Sequence, residues 1–354
     1  MDVLRLVIVL GFTKTSLADY KYKSPKLCEH QLTVPTATAY KSLTVDWLLD
    51  CVRQCSHDSS CLSATFDGSQ TCYMFPANDR NCSVPLQLGG SYFLKESITC
   101  LNNGTLNTTT HTCKCYNGYI GDKCQRIMMD CTEGFYSGHY KTDEFSEYLI
   151  KPTLAPQPFY VECYMKDIGG ATVIMMNSKW SPFLDRTLNW ENYTEGFGTP
   201  IANHWIGLHN MNYITNSRPQ HLFVEVISGL DWEARWRKYE NFKVEDESTN
   251  YRMTYSGSFP WTQTEVGADP DWSKVIASTP LGDSMIGLNG SAFSTFDRDN
   301  DLDVGRNCAR EYQGGWWYNA CADCNPNSPI DEVFWKYDFI NYEIAYIEML
   351  LKAT

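Results

Sequence analysis

Fifteen cysteines in 354 residues, gathered in three groups, constrain this chain more than any other feature. The first group is Cys28, Cys51, Cys55, Cys61, Cys72 and Cys82, and the second is Cys100, Cys113, Cys115 and Cys124. The third is Cys131, Cys163, Cys308 and Cys321, with Cys324 left over. Such density fits an oxidising compartment and disulfide-held modules. The second group spans too few residues to bury a core of its own, so cross-links must hold it. Spacing alone does not choose among the many connectivities that six cysteines allow. The Cys321-Ala-Asp-Cys324 pair has no second Cys pair and no nearby His, which argues against redox or zinc chemistry. An odd thiol in an exported chain is expected to be buried or to bridge to another chain, and an interchain disulfide through Cys324 is the expectation here.

With 43% hydrophobic and 14% aromatic residues the chain can fill more than one core. The net charge of -13 argues against nucleic acid, whose phosphates require a basic face. Residues 1–18 read as a secretory signal, with a short apolar run from Leu6 to Phe12 and small residues at Ser16-Leu17-Ala18. No later run is long and apolar enough to span a membrane, so the expected product is secreted. Asn-x-Ser/Thr sequons at Asn81, Asn103, Asn107, Asn192 and Asn289 are candidate glycosylation sites in that setting. The chain lacks Gly-x-Ser-x-Gly, P-loop, dinucleotide-binding and zincin motifs, and its histidines are scattered, so no catalytic residues are expected.

Local pattern supplies elements. Residues 44–56 have a helical rhythm, with Trp47, Leu48, Cys51, Val52 and Cys55 on one face and Asp46 as the expected N-cap. Leu62–Phe66 and Thr71–Phe75 read as strands around an Asp67-Gly68 turn. Further strands are expected at 159–163, 171–176 and 222–227, and short helices at 185–196 and 241–247. Trp190, Trp205, Trp232, Trp236, Trp316 and Trp317 are expected in the core, and the basic cluster Arg235 to Lys238 on a solvated face.

The stretch 293–321, FSTFDRDNDLDVGRNCAREYQGGWWYNAC, carries the chemistry. Asp297, Asp299, Asp301 and Asp303 occupy alternate positions, so their oxygens can converge on one point. A hard cation such as Ca²⁺ wants about six to eight oxygens, whereas Mg²⁺ demands tighter geometry and keeps its waters. A solvated acidic turn is the alternative. The loop is not an EF-hand, because Leu302 stands where the required Gly would be and Cys308 where Glu would be.

FSTFDRDND, followed by NCA, GGWW and a second Cys, resembles a fibrinogen-related domain, such as those of ficolins, tenascins, angiopoietins and tachylectin-type lectins. Earlier matches are Cys131 to Cys163, WENYTEGFG at 190–198, HWIGLHNMNYIT at 204–215 and YRMTYSG at 251–257. The resemblance implies an α+β domain on a central antiparallel sheet, with disulfides Cys131–Cys163 and Cys308–Cys321. It implies a structural Ca²⁺ held by the Asp299 and Asp301 side chains and by the carbonyls of Asp303 and Gly305. One residue, near Arg306, is extra to the family pattern. The family's acetyl-binding funnel maps onto Tyr312, Cys321 and Ala322, but Ala322 stands at the family's His, and the loop before Trp335 is short. Asn325 and Asn327 match the family's Asn-containing loop.

The first cysteine group resembles a PAN/apple domain, a helix on a small sheet, implying Cys28–Cys82, Cys51–Cys72 and Cys55–Cys61. The second is similar to the back half of an EGF-like module, implying Cys100–Cys113 and Cys115–Cys124, and reads as a spacer. The expected organisation is a signal at 1–18, a PAN/apple domain at 28–99, a shortened EGF-like module at 100–125 and a fibrinogen-like domain at 126–354, a disulfide-rich α+β multidomain chain. The expected function is calcium-dependent recognition of extracellular glycans or matrix proteins. The alternative is a structural part of an acidic, mineralised matrix.

Overall fold

A computed structural model describes residues 20–22, 33–34, 39–58, 60–61, 63–66, 70–76, 84–85, 91–95, 99–107, 112–140, 146–165, 169–261, 281–337 and 344–354. The signal segment, Cys28, Cys82, Asn81 and the Asp67-Gly68 turn lie outside the described residues. The described residues fall into two compact units, one drawn from residues 1–99 and 106–112, the other from 100–105 and 113–354. No helix among them is long and apolar enough to cross a membrane.

In the first unit the helix Leu48–His57 carries Cys51 and Cys55 on its buried face. Its N-cap is Trp47, with no side-chain cap, and not the expected Asp46. The helix packs on a five-stranded sheet in the order Tyr20–Tyr22, Ser91–Lys95, Ser63–Phe66, Thr71–Phe75, Lys41–Thr44. Cys51 bonds to Cys72 and Cys55 to Cys61, and these cystines with Val45, Ala64 and Met74 form the small core. Two cystines therefore stand in for the apolar area that so short a helix cannot bury.

The second unit is organised on one antiparallel sheet in the order Ser146–Ile150, Phe159–Tyr164, Ala171–Ser178, Ile344–Ala353, Gln220–Ser228, Ala234–Val244, Met253–Thr254. The last strand of the chain lies in its middle, and all eight residues of Ala171–Ser178 are buried. Strands covered on both faces read as continuous apolar runs, which is why VIMM and YIEMLL lack alternation. Helices Trp190–Glu195 and Leu208–Ser217 cover one face. The helix expected at 241–247 is instead the end of the strand Ala234–Val244 and a 3₁₀ turn Glu247–Thr249. The strand Gln220–Ser228 holds 234–244 in register from Phe242 to Ala234, and this pairing overrides the local helical rhythm.

Cys131 bonds to Cys163 at the start of this unit. Asp130 caps the helix Cys131–Tyr136 by accepting from Glu133 N at 2.9 Å and also meets the Arg218 guanidinium through both carboxylate oxygens. The segment around Cys115–Cys124 is docked on the sheet edge and is not a free spacer. Met128 N donates to Gly118 O at 2.8 Å, Tyr140 Oη to Tyr119 O at 2.7 Å, and Ile120 lies in the main core. The contact is close at Gly118, which has φ 87° and whose Cβ would sit 1.9 Å from the Leu149 carbonyl oxygen. Gly118→Ala is therefore expected to cost more than about 1 kcal/mol, the usual scale for Ala where φ is positive, and to expose 113–127 to limited proteolysis. Unchanged cleavage would show that the docking is not needed to order the segment.

Candidate functional site

The acidic loop is built from linked Asx turns. Asp299 Oδ1 accepts from Asp301 N at 3.3 Å, Asp301 Oδ1 from Asp303 N at 2.8 Å, and Asp303 Oδ1 from Gly305 N at 3.1 Å. Alternate spacing of Asp is what such turns require, since each side chain reaches the N–H two residues on. Asp297 faces elsewhere, accepting from Trp190 N at 3.0 Å and Thr295 Oγ1 at 2.7 Å. Asn300 pins the loop to Phe293 O at 2.8 Å. Asp301 Oδ2 accepts from Cys308 N at 3.0 Å, tying the loop to the Cys308–Cys321 disulfide.

The Asp299 and Asp301 carboxylates come together. Partial burial, and after it the neighbouring Asp299 carboxylate, push the Asp301 carboxyl above the ordinary range. Neither group meets a cationic side chain among the described residues, because Arg298 turns to Glu247 at 3.0 Å and lies 3.8 Å over Trp190. Two converged hard-oxygen donors without a counter-charge can hold a divalent cation, which would relieve their repulsion. The Asp303 carboxylate is not available in the same way. The Arg306 guanidinium takes it at 2.8 and 3.0 Å and, with the Gly305 N–H, holds its pKa below the usual carboxylate value. A carboxylate oxygen of Asp303 also lies within 4.8 Å of the Cys308 and Cys321 sulfurs, but both sulfurs are spent in the disulfide.

Behind the loop, Trp316 and Trp317 are fully buried, as are Trp205 and Phe293. Trp317 Nε1 donates to Tyr251 O at 2.8 Å, and its ring lies 5.1 Å from Phe293 and 5.9 Å from Trp205. Trp232, expected in the core, is 61% exposed and stacks on Trp180 at 5.7 Å. It sits in the turn after strand Gln220–Ser228, outside the layer the helices cover. The basic cluster is paired: Arg235 with Asp231 at 2.6 Å, Arg237 with Asp283 at 3.3 Å and Lys238 with Glu240 at 3.0 Å.

Tyr312, Cys321 and Ala322 line one corner beside the disulfide. Tyr312 stacks on Tyr318 at 6.0 Å and meets Phe334 at 5.0 Å. Cys321 has φ 64° and is 6% exposed. Ala322 offers no side-chain donor, and Lys336 Nζ takes its carbonyl at 2.9 Å and Asp323 Oδ1 at 3.1 Å. The short segment after Cys321 forms a two-strand ladder, Cys324–Asn325 with Phe334–Trp335, which brings Phe334 to Tyr312. Phe334 and Lys336 were missed by sequence reasoning; the adjacent Phe334-Trp335 pair was the available signal. Arg186 was also missed. It is buried, and its guanidinium donates to Met176 O and, at 2.6 Å, to Asn327 Oδ1.

Cys324 is fully buried with a free thiol, its pKa pushed well up by burial, and its sulfur faces the Trp316 indole N–H, which has no other partner. An interchain disulfide at Cys324 is therefore ruled out for the folded chain, since no second thiol can reach it. Of the sequons, Asn103, Asn107, Asn192 and Asn289 are exposed. The Asn289 amide is engaged on both sides with the Tyr255 backbone, at 2.9 and 3.1 Å.

Comparison with known proteins agrees with this architecture. The family model of the fibrinogen beta and gamma chains, C-terminal globular domain, matches residues 127–341, and the PAN domain model matches residues 28–105. Human fibrinogen-like protein 1 is 34% identical over 225 residues, 59% of this chain and 62% of that protein. The chain thus spans less than two thirds of the length of the curated relatives it matches. The fibrinogen-like globe domain of human ANGPTL2 superposes with a TM-score of 0.53 at 30% identity, over 64% of this chain and 99% of that one. A lamprey fibrin D-dimer complexed with the peptide Gly-His-Arg-Pro-amide gives 0.50 at 26% identity, over 63% of this chain and 72% of that one. With its sheet order, its paired cysteines and a matching family model over 127–341, the chain belongs to the family of the C-terminal globular domain of the fibrinogen beta and gamma chains and carries a PAN domain before it.

Proposed function

We propose that this is a secreted, calcium-stabilised recognition protein whose fibrinogen-like domain binds proteins or glycans on extracellular surfaces. It is not an enzyme, in keeping with its fibrinogen-like and angiopoietin-related relatives. The observation that carries the reading is the convergence of the Asp299 and Asp301 carboxylates next to the Cys308–Cys321 disulfide. A Ca²⁺ held there by these two side chains, with the carbonyls of Asp303 and Gly305, would neutralise both and stiffen the loop beside Tyr312. The PAN domain and the module held by Cys100–Cys113 and Cys115–Cys124 would present this head; the second is a shortened EGF-like unit in this reading.

A protein ligand is favoured over an acetylated sugar by the corner itself. The lectin arrangement needs a donor side chain after the second Cys, and Ala322 has none. Phe334 and Lys336 occupy the neighbouring space and leave an aromatic corner rimmed by the Lys336–Asp323 ion pair. Retention on acetylated agarose and on immobilised peptide Gly-His-Arg-Pro-amide, each with calcium and with EDTA, tests the reading. The expected result is calcium-dependent retention on the peptide and little on the acetyl resin. Retention on neither surface, combined with recovery of the protein from demineralised matrix, would favour a structural role in an acidic matrix.

A further inference from the structure

The sheet of the second unit has a second face, turned away from the main core, where Tyr164, Val173, Phe223 and Leu350 form a small apolar cluster. Three carboxyls sit on this face: Glu162, 2% exposed, Glu225, 7%, and Glu348, 1%. Glu225 and Glu348 are directly opposite each other on adjacent antiparallel strands. Like charges in that position repel at close range, and burial removes the water that would screen them.

Among the described residues the surroundings offer no counter-charge. The next residues in register are Met176 on one side and Trp236 on the other, both apolar. One rung along, Lys238 stands opposite Phe223 and is paired with Glu240 at 3.0 Å. In the other direction Tyr346 turns its hydroxyl to Glu348. Among the described residues no Lys, Arg or His pairs with Glu162, Glu225 or Glu348. Glu348 Oε1 is buried without a hydrogen-bond partner, and Glu162 Oε2 accepts one bond, from Ile201 N at 3.2 Å. Protonation meets both problems at once: it removes the repulsion and turns an acceptor-only group into one that can also donate.

We propose that Glu225 and Glu348, with Glu162 beside them, form a proton-held lock on the central sheet that is closed in mildly acidic solution and strained as the medium turns alkaline. The acids support what lies on them. Tyr346 stacks on Trp180 at 5.8 Å, Trp180 stacks on the exposed Trp232, and Glu162 holds the 198–205 loop through Ile201. Burial pushes Glu162 to about 7 and Glu225 to about 8, and raises Glu348 well above the ordinary carboxyl range, with its two acidic neighbours adding to the effect.

The direction follows from linkage. A carboxyl whose folded pKa lies above its unfolded value binds more protons when folded. Its contribution is fully present below the unfolded pKa, near 4.5, and is lost as pH rises through the folded value. Between those limits two such groups lower the folding equilibrium constant about a hundredfold per pH unit. Unfolding near pH 6.5 then releases about two protons from the pair.

The test uses the full chain and the variants Glu225→Gln and Glu348→Gln, singly and together, which keep the shape and remove the ionisation. Urea midpoints are measured from pH 5 to pH 8.5 by tryptophan fluorescence. The expected result is a wild-type midpoint that falls with pH and a double variant that loses the part of that fall belonging to two protons. If the double variant does not fold, proton release on unfolding of wild type and Glu225→Gln decides instead, the expected difference being about one proton. Equal pH slopes, or equal proton release, in wild type and variant would overturn the proposal.

Discussion

Replacing Arg186 with alanine is expected to destabilise the fibrinogen-like domain by about 3–5 kcal/mol, the scale of stranding two buried acceptors and opening a cavity. Arg186 is 1% exposed and no carboxylate pairs with it among the described residues. Burial lowers its pKa to about 10, so it remains charged at neutral pH. The charge is held by two acceptors, Met176 O in the central sheet and Asn327 Oδ1 in the segment after the disulfide. Tyr193 Oη in turn donates to the Arg186 carbonyl at 2.7 Å. Alanine leaves a cavity and two buried acceptors without donors, each costing about 1–3 kcal/mol. Methionine restores most of the volume and isolates the polar part of the loss. Lysine presents a point charge where a planar fork spans two acceptors, so it is expected to recover less than half. Urea unfolding gives the size of the effect. Hydrogen exchange at 325–328 gives its location, because Asn327 N donates to Asn325 Oδ1 and Asn325 donates to Tyr318 Oη at 2.7 Å. A loss below about 1 kcal/mol, the scale of an ordinary single hydrogen bond, would mean that the segment is held by its apolar contacts alone.

Arg186 also shows where sequence reading stops. Its partner Asn327 lies 141 residues away, and although Asn327 matches the family's Asn-containing loop, nothing local links it to Arg186. Residues whose role depends on local geometry were legible. The alternate Asp spacing read as converging oxygens or as an acidic turn, and Asp299, Asp301 and Asp303 form linked turns while Asp297 faces elsewhere; the Trp316-Trp317 pair is buried as expected. The fold class was legible through ordered motifs spread from Cys131 to Trp335. Exposure of Trp232 was not, since a tryptophan in a turn and one in a strand look alike without the strand ends. The same limit applied to Cys324: an unpaired cysteine reads as available until its neighbours enclose it. The three buried glutamates were invisible for a related reason. In an acidic chain they look like solvated charges, and only the register that sets Glu225 against Glu348 reveals the conflict.

Calcium is expected to raise the melting temperature of the wild-type domain, and the double variant Asp299→Asn with Asp301→Asn is expected to lose that gain. An ion that binds only the folded state stabilises by about 2.7 kcal/mol at a hundredfold excess over its dissociation constant. Asparagine is the informative substitution. Asp301 accepts from both Asp303 N and Cys308 N, so alanine would break the Asx turn and the tie to the disulfide along with any ion site. Asparagine retains a carbonyl acceptor while removing the charge. Without calcium the double variant should melt close to wild type, because the lost hydrogen bond to one N–H is offset by relief of the Asp299–Asp301 repulsion. Magnesium should give a smaller gain, since it needs near-octahedral ligands and sheds water reluctantly. Arg306→Ala sharpens the comparison. It frees the Asp303 carboxylate from its ion pair and offers the loop a third uncompensated oxygen donor, so calcium should bind this variant more tightly than wild type. If wild type, the asparagine double variant and Arg306→Ala all melt identically with and without calcium, the acidic loop is a set of turns and the recognition face is stiffened by Cys308–Cys321 and its aromatic backing alone.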